Sequence, residues 1–288
     1  MSDQAVKSGY LHQDFRIFYN ADSLKKTFPL HYHDFHKLML FLGGNAGYII
    51  EGRQYDLQPL DLVLVPAGWL HRPLIYDESL YERVIVYLSD EYFREMSTRG
   101  TDLFACFRAG QEKGSCLIRP SGQDAARLRE QVPSLTRCAE DDGFGAGLLR
   151  QALVAELLIL INRMVLNRES TFAMEAASNP VVLEVMDYIN THLTDEDLSV
   201  DSVAKHALLG RSYLMHLFKA ETGYTLGRYI TEKRLFLACA CLEKGLSVTE
   251  ACYQSGFGNY STFYYAYRKK YGVSPNRKRY EQLVSEGE

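Results

Sequence analysis

The sequence predicts an α+β chain with a β-barrel or jelly roll at its N-terminus, a helical layer, and an all-α C-terminal domain bearing two helix-turn-helix patterns. Three observations predict it. Between Phe28 and Leu88, short β-branched and aromatic runs alternate with turn residues. From Gly147 to Val165 the apolar residues are too dense to be solvated on every side. Near the C-terminus, one pattern of helical period occurs twice. At 288 residues the chain exceeds one typical domain, so each half can bury a core of its own.

The N-terminal runs are Lys37-Leu-Met-Leu-Phe-Leu, Gly47-Tyr-Ile-Ile, Asp61-Leu-Val-Leu-Val-Pro and Glu82-Arg-Val-Ile-Val-Tyr-Leu, punctuated by Gly43-Gly-Asn, Glu51-Gly-Arg and Ala67-Gly-Trp. Such spacing assigns residues 1–120 to an all-β domain. His31 and His33 alternate, so on a strand they point to one side, and His71 from a later strand can join them. Three histidines so placed suit a metal, the lining of a small-molecule pocket, or a satisfied core.

Residues 121–168 read as helical. Ser121 is a plausible N-cap, and Leu148, Leu149, Leu153, Leu157, Leu160 and Met164 give an apolar surface that packs on the barrel or on a second subunit. Polar and small residues before Pro180 mark 169–179 as a linker to the C-terminal domain, 180–288.

The repeated pattern runs from Leu198 to Gly223 and from Ser247 to Gly272. Val203 and Ala204 match Ala251 and Cys252 at an offset of 48. Beyond the turn the offset becomes 49, pairing Leu214 with Phe263, Phe218 with Tyr267 and Gly223 with Gly272. The second copy therefore carries one extra turn residue. Ala204 and Cys252 are small enough for close helix approach, while Leu214, Leu217 and Phe218 bury one face of the second helix. In a helix-turn-helix the opposite face enters the major groove of DNA. Helical hairpins without that role share the same periodicity.

Net charge is −4, which by itself argues against a nucleic-acid partner. Residues 180–288 hold 13 Lys+Arg and 13 Asp+Glu, whereas 1–179 hold 19 and 23, so the acidity belongs to the N-terminal half. Arg268 to Arg279 contains six cations and no acid, a local face suited to phosphate. No run approaches the roughly 20 apolar residues of a membrane span. The segment Met1 to Lys7 lacks a signal-peptide core, and six cysteines without C-x-x-C spacing read as reduced thiols in a cytoplasmic protein.

From Pro180 to Tyr280 the chain resembles the DNA-binding domain of the AraC/XylS family of transcription regulators. The residues carrying the resemblance are Arg211-Ser-Tyr-Leu-x-x-Leu-Phe-Lys-x-Glu-Thr-Gly223, Tyr229-Ile-x-x-x-Arg234-Leu, Gly256-Phe, and Phe263-x-x-x-Tyr267-Arg-Lys-x-Tyr-Gly-x-Ser-Pro275. The resemblance implies two recognition helices joined by a long helix, about Leu226 to Lys244. By position, Ser212, Met215 and His216 of the first and Tyr260, Ser261, Tyr264 and Tyr265 of the second would face bases. Arg211, Lys219, Arg268, Lys269 and Lys270 would serve as phosphate or edge contacts. The tyrosines serve equally well as packing residues.

His31-Tyr-His33-Asp-Phe-His-Lys, Pro59 to Pro66 and Gly68-Trp-Leu-His71-Arg-Pro resemble the cupin-type sensor domain of the same family. In metal-binding cupins a glutamate follows the H-x-H pair by four residues, and here that position is Lys37. No metal or other cofactor is therefore expected, with His31, His33 and His71 the ligands if one binds. The resemblance implies an effector among His31, His33, His36, Tyr48, Trp69, His71 and Arg72, with Arg16 on an N-terminal arm across the mouth; Trp69 suits the core equally well. The chain reads as a dimeric transcription activator of double-stranded DNA, working with RNA polymerase, controlled by a small molecule such as a sugar, and not an enzyme. A metal-dependent cupin enzyme fused to a DNA-binding module and a ligand-independent DNA-binding protein are the alternatives.

Overall fold

The apolar run beginning at Lys37 is a strand buried on both faces, and its parity organises the N-terminal half. The computed structural model describes residues 11, 14–23, 27–166, 171–173 and 178–276. The chain divides into two units, 1–178 and 179–288. Nine strands belong to the described part of the first: β1 (Phe15–Asp22), β2 (His36–Gly43), β3 (Ala46–Ile50), β4 (Arg53–Asp56), β5 (Leu62–Val65), β6 (His71–Ile75), β7 (Tyr81–Leu88), β8 (Leu117–Arg119) and β9 (Thr171–Phe172). They form a six-stranded sheet, ordered β1-β7-β2-β5-β8-β9, and a three-stranded sheet, β4-β3-β6. All the pairings are antiparallel.

Met39, Phe41, Val63, Val65 and Ile85 of the large sheet meet Ala46, Tyr48, Ile50 and Tyr55 of the small one in a shared core. Leu38, Leu40, Leu62, Leu64, Val84 and Val86 point the other way. Successive side chains on a strand alternate between faces, so one strand feeds both cores. The expected closed barrel is not formed. Among the described residues the strand pairing stops at β1 and β9 of one sheet and at β4 and β6 of the other, and face-to-face packing joins the sheets.

Helices α1 (Asp90–Met96), α2 (Ala105–Lys113), α3 (Gly122–Glu140) and α4 (Ala146–Leu166) cover the outer face of the large sheet. Leu128 and Leu135 of α3, with Val154, Leu157, Leu158, Ile161 and Met164 of α4, are buried there. The helical layer therefore spends one face within its own chain. Phe144, Leu148 and Leu149 stay exposed at the start of α4. Within the expected linker, Thr171–Phe172 pair with β8; residues 169–170 and 174–177 lie outside the described part.

The second unit holds α5 (Pro180–Thr191), α6 (Val200–His206), α7 (Arg211–Thr222), α8 (Leu226–Glu243), α9 (Val248–Gln254) and α10 (Tyr260–Tyr271). The duplication read in the sequence recurs in the caps. Ser199 and Ser247 each accept a hydrogen bond from the backbone three residues on, Ser202 N–H and Glu250 N–H, and each is part of a capping box. Gly223 and Gly272 end α7 and α10 in the left-handed conformation. In the first turn Leu208 takes a positive φ of 53° and is 90% exposed; its counterpart is Gly256, φ 84°. A Cβ at Gly256 would lie 2.4 Å from the Leu193 carbonyl oxygen, so glycine is required there by space as well as by φ.

Arg234 of α8 donates to the carbonyls of Leu193 at 3.0 Å and Asp195 at 2.7 Å. Those bonds seat α8 and the α9–α10 turn on the loop after α5. No described helix is long and apolar enough to cross a membrane. All six cysteines are free thiols, and burial pushes those of Cys106 and Cys116 up to about 12.

Candidate nucleic-acid interface and effector site

Helix α7 buries Leu214 and Phe218 and leaves Ser212, Met215, His216 and Lys219 exposed. That spacing, i, i+3, i+4, i+7, makes one outward stripe. Arg211 sits at its N-terminal end and holds Asp201 of α6 through contacts of 2.7 and 2.8 Å. Both partners are exposed, so the pair contributes at most about 1 kcal/mol and is readily exchanged for a phosphate.

Helix α10 repeats the plan with Phe263 and Tyr267 buried. Its outward stripe is Ser261, Tyr265, Arg268 and Lys269, with Tyr265 72% exposed. Tyr260 and Tyr264 are half-buried and stack on one another with centroids 6.2 Å apart. Lys270 departs from the expected row of phosphate contacts. It lies i+7 from Phe263 and i+3 from Tyr267, on the buried side, and its Nζ pairs with Glu232 of α8. Residues 277–279 of the basic run are outside the described part.

In the first unit, His31, His33 and His71 converge. Their ring centroids lie 4.4 Å (His31 to His71), 4.7 Å (His33 to His71) and 6.3 Å (His31 to His33) apart. The convergence arises because the backbone of His31 bridges that of His71 at the start of β6. Burial holds His33 and His71 well below the usual histidine range and lowers His31 also, with Lys37 adding to each effect. The three rings are thus kept neutral. Tyr48 is fully buried and stacks near His71, 6.0 Å between centroids.

The other expected effector residues are distributed around this cluster. Trp69 is half-buried against the inter-sheet core, and its carbonyl accepts from His71 Nδ1 at 2.9 Å. Arg16 is on strand β1 rather than on a separate arm, opposite Tyr87, with its guanidinium 4.8 Å from the Phe18 ring. His36 is turned away. It has the parity of Leu38 and Leu40, bonds Asp90 at 2.8 Å, and packs against Phe104 of the outer helices. Arg72 neighbours Ile49 on the face of the small sheet opposite His71.

Sequence reasoning passed over Lys37, Phe35, Tyr87 and Arg83 as members of this site. Lys37 shares the inward parity of Met39 and Phe41, is 8% exposed, and donates to the Tyr48 hydroxyl at 2.8 Å. Burial, with Arg83 nearby, lowers its ammonium to about 7. Among the described residues no group of three or more histidines, cysteines or carboxylates is placed to hold a metal ion.

Residues 17–158 match the AraC-like ligand binding domain, and 203–280 match the helix-turn-helix domain. Over most of its length the chain is similar to the HTH-type transcriptional activator RhaS of Citrobacter koseri, 24% identical over 260 residues and 87% of each chain. It is 27% identical over 265 residues, 86% of each chain, to the protein of that name from Salmonella heidelberg. The C-terminal domain of AraT, a response regulator from Geobacillus stearothermophilus, shares 30% identity, with 34% of this chain and 82% of that one covered and a TM-score of 0.33. A sheet domain for a ligand and a helical domain for DNA define a ligand-regulated transcription regulator of the helix-turn-helix type. The chain belongs to the AraC family.

Proposed function

We propose that this protein is a cytoplasmic transcription activator that binds double-stranded DNA as a homodimer through two helix-turn-helix units, α6–α7 and α9–α10. The duplicated outward stripe carries the reading: Ser212, Met215, His216 and Lys219 on α7, then Ser261, Tyr265, Arg268 and Lys269 on α10, each backed by a buried apolar face. Met215, His216 and Tyr265 meet base edges; Arg211, Lys219, Arg268 and Lys269 meet phosphates. The 18 residues of α8 extend about 27 Å, a rod that suits helices set in successive major grooves. The name borne by the relatives supports activation, and activation brings RNA polymerase in as a partner.

The N-terminal sheets, within 1–120, form a jelly-roll-like sensor whose effector sits at the His31, His33 and His71 cluster. Aromatic and hydrogen-bonding groups there suit a sugar or similar polar metabolite. The exposed Phe144, Leu148 and Leu149 supply the contact between subunits within the 121–168 layer. The enzyme alternative draws no support from relatives named as activators. Selection of bound sequences from random duplex DNA, with and without sugars and other small metabolites, tests the proposal. Two contact blocks about one helical turn apart, altered by one compound, are expected; no enrichment at moderate salt overturns the DNA-reading role.

A further inference from the structure

Among the described residues, three atoms near the histidine cluster are buried with bonding capacity to spare. His33 Nδ1 meets the Phe35 carbonyl at 2.7 Å, and His71 Nδ1 meets that of Trp69 at 2.9 Å. A carbonyl can only accept, so each Nδ1 carries the proton and each Nε2 presents a lone pair. Both Nε2 atoms are buried without a hydrogen-bond partner among the described residues, in residues 3% and 0% exposed. The third atom is Lys37 Nζ. An ammonium has three donors, and this one has a phenol at 2.8 Å and, among the described residues, no carboxylate. Its charged neighbour is Arg83, whose guanidinium is itself paired to Asp22 at 2.6 Å.

Buried acceptors call for O–H or N–H donors, and a buried cation calls for an anion. A neutral sugar answers the histidines and leaves Lys37 unpaired. A hydrocarbon acid answers Lys37 and leaves both Nε2 atoms bare. A divalent metal would be repelled by Lys37 and Arg83. Tyr48 joins the two halves, bonded to Lys37 and stacked near His71, so the ammonium and the His71 ring flank one phenol. We propose that the effector is a hydroxylated carboxylic acid, such as a sugar acid, whose carboxylate takes the Lys37 ammonium while its hydroxyls donate to Nε2 of His33 and His71. The inference rests on the reading of this unit as the effector domain.

Lys37 is faced by Tyr48 from β3, by Arg83, Tyr81 and Tyr87 from β7, and by His31, His33 and His71. The tyrosines are held protonated by burial and the histidines neutral, so Lys37 is the group whose charge changes above neutrality. Because it titrates near 7 without an anion, acid affinity falls about tenfold per pH unit above that value, and affinity for a neutral ligand does not.

The test uses the full-length protein. D-Galacturonate, D-gluconate and L-lactate are each titrated beside D-galactose, D-glucitol and 1,2-propanediol, with Trp69 fluorescence and thermal unfolding as readouts. At least one acid is expected to bind about 30-fold or more tightly than its neutral partner, with that gain lost in Lys37→Met. Lys37→Arg, which keeps a cation at that place, is expected to restore much of the acid's advantage, and a cooperative unfolding transition retained by Lys37→Met separates lost binding from a folding defect. Equal binding of acid and neutral partner, undiminished acid binding by Lys37→Met, or silence from every acid overturns the inference. If a neutral sugar alone binds and alters DNA selection, the effector-domain reading stands without it. If nothing binds and DNA selection is indifferent to every compound, both fall.

Discussion

Replacing Gly256 by alanine sets two turns of common design against each other. At φ 84° an L-residue adopts the left-handed region at a cost of roughly 1–2 kcal/mol. The new Cβ would also lie 2.4 Å from the Leu193 oxygen and 2.9 Å from both Thr194 Cα and Arg234 Nε. Backbone cannot yield there without displacing Arg234 from the Leu193 and Asp195 carbonyls. Charged hydrogen bonds of this kind contribute ~1.5–3 kcal/mol each when buried. Arg234 is only half-buried, so we count about 1.5 kcal/mol for both together. The total loss is about 3 kcal/mol, a large part of the stability of a domain. At the equivalent Leu208, relief of the left-handed strain and the extra chain freedom of glycine offset each other, so Leu208→Gly is expected within about 0.5 kcal/mol of the parent. Urea unfolding of the full chain measures both. Far-UV circular dichroism reports the helices of both units and the fluorescence of Trp69 the first alone, so the second unit is read as the dichroism change that does not coincide with the fluorescence transition. The reasoning is refuted if Gly256→Ala leaves the dichroism midpoint within error of the parent, or if it shifts the tryptophan transition by as much.

His216→Ala should alter base preference within one contact block by ~1–3 kcal/mol while leaving the other block unchanged, as read by selection from random duplexes. Uniform weakening of every sequence would assign His216 to the phosphates. Lys269→Ala should lower the slope of log affinity against log salt by about 1, whereas Lys270→Ala should leave the slope and loosen α10 from Glu232; equal slope changes would refute that division. For the N-terminal unit, burial depresses His33 and His71, so below 6.5 the unfolded chain binds protons that the folded unit refuses, and stability falls with pH. Between about 7 and 10.5, Lys37 acts in the same direction and by itself raises stability by about 2 kcal/mol from pH 7 to 9, a gain partly offset as the thiols of Cys106 and Cys116 ionise in the unfolded chain. Urea midpoints read by Trp69 fluorescence check this, and Lys37→Met should abolish the rise above neutrality; a rise that persists in the variant would assign it to other groups.

The C-terminal architecture was legible because its signals are local. Serine caps, a buried residue every third or fourth position and a terminal glycine fix each helix within a dozen residues, so the change of offset from 48 to 49 survives as a turn of one more residue. Lys270 reads as a phosphate contact with its basic neighbours, although its phase relative to Phe263 and Tyr267 is that of the buried side, where it pairs with Glu232. In the N-terminal unit, parity holds only inside a strand. His31 and His33 precede β2, and with β2 beginning at His36 the alternation starts afresh there, which turns His36 to the helices and Lys37 to the interior. A charge in an apolar run reads as a strand edge until its parity with Met39 and Phe41 is counted. Closure of the barrel depended on pairing between distant strand edges, which no local pattern encodes.

The bonds from Arg234 to the loop after α5, and the absence of any Cβ at Gly256 to push them apart, make α8 a gauge block. A gauge fixes separation and phase together. If the two units read DNA as proposed, one base pair inserted between their contact blocks would turn the far one by about 35° around the helix axis and shift it by about 3.4 Å, against the fixed span of α8. The duplex must then absorb it by untwisting. Operators of this protein should accordingly tolerate changes of letter far better than changes of length.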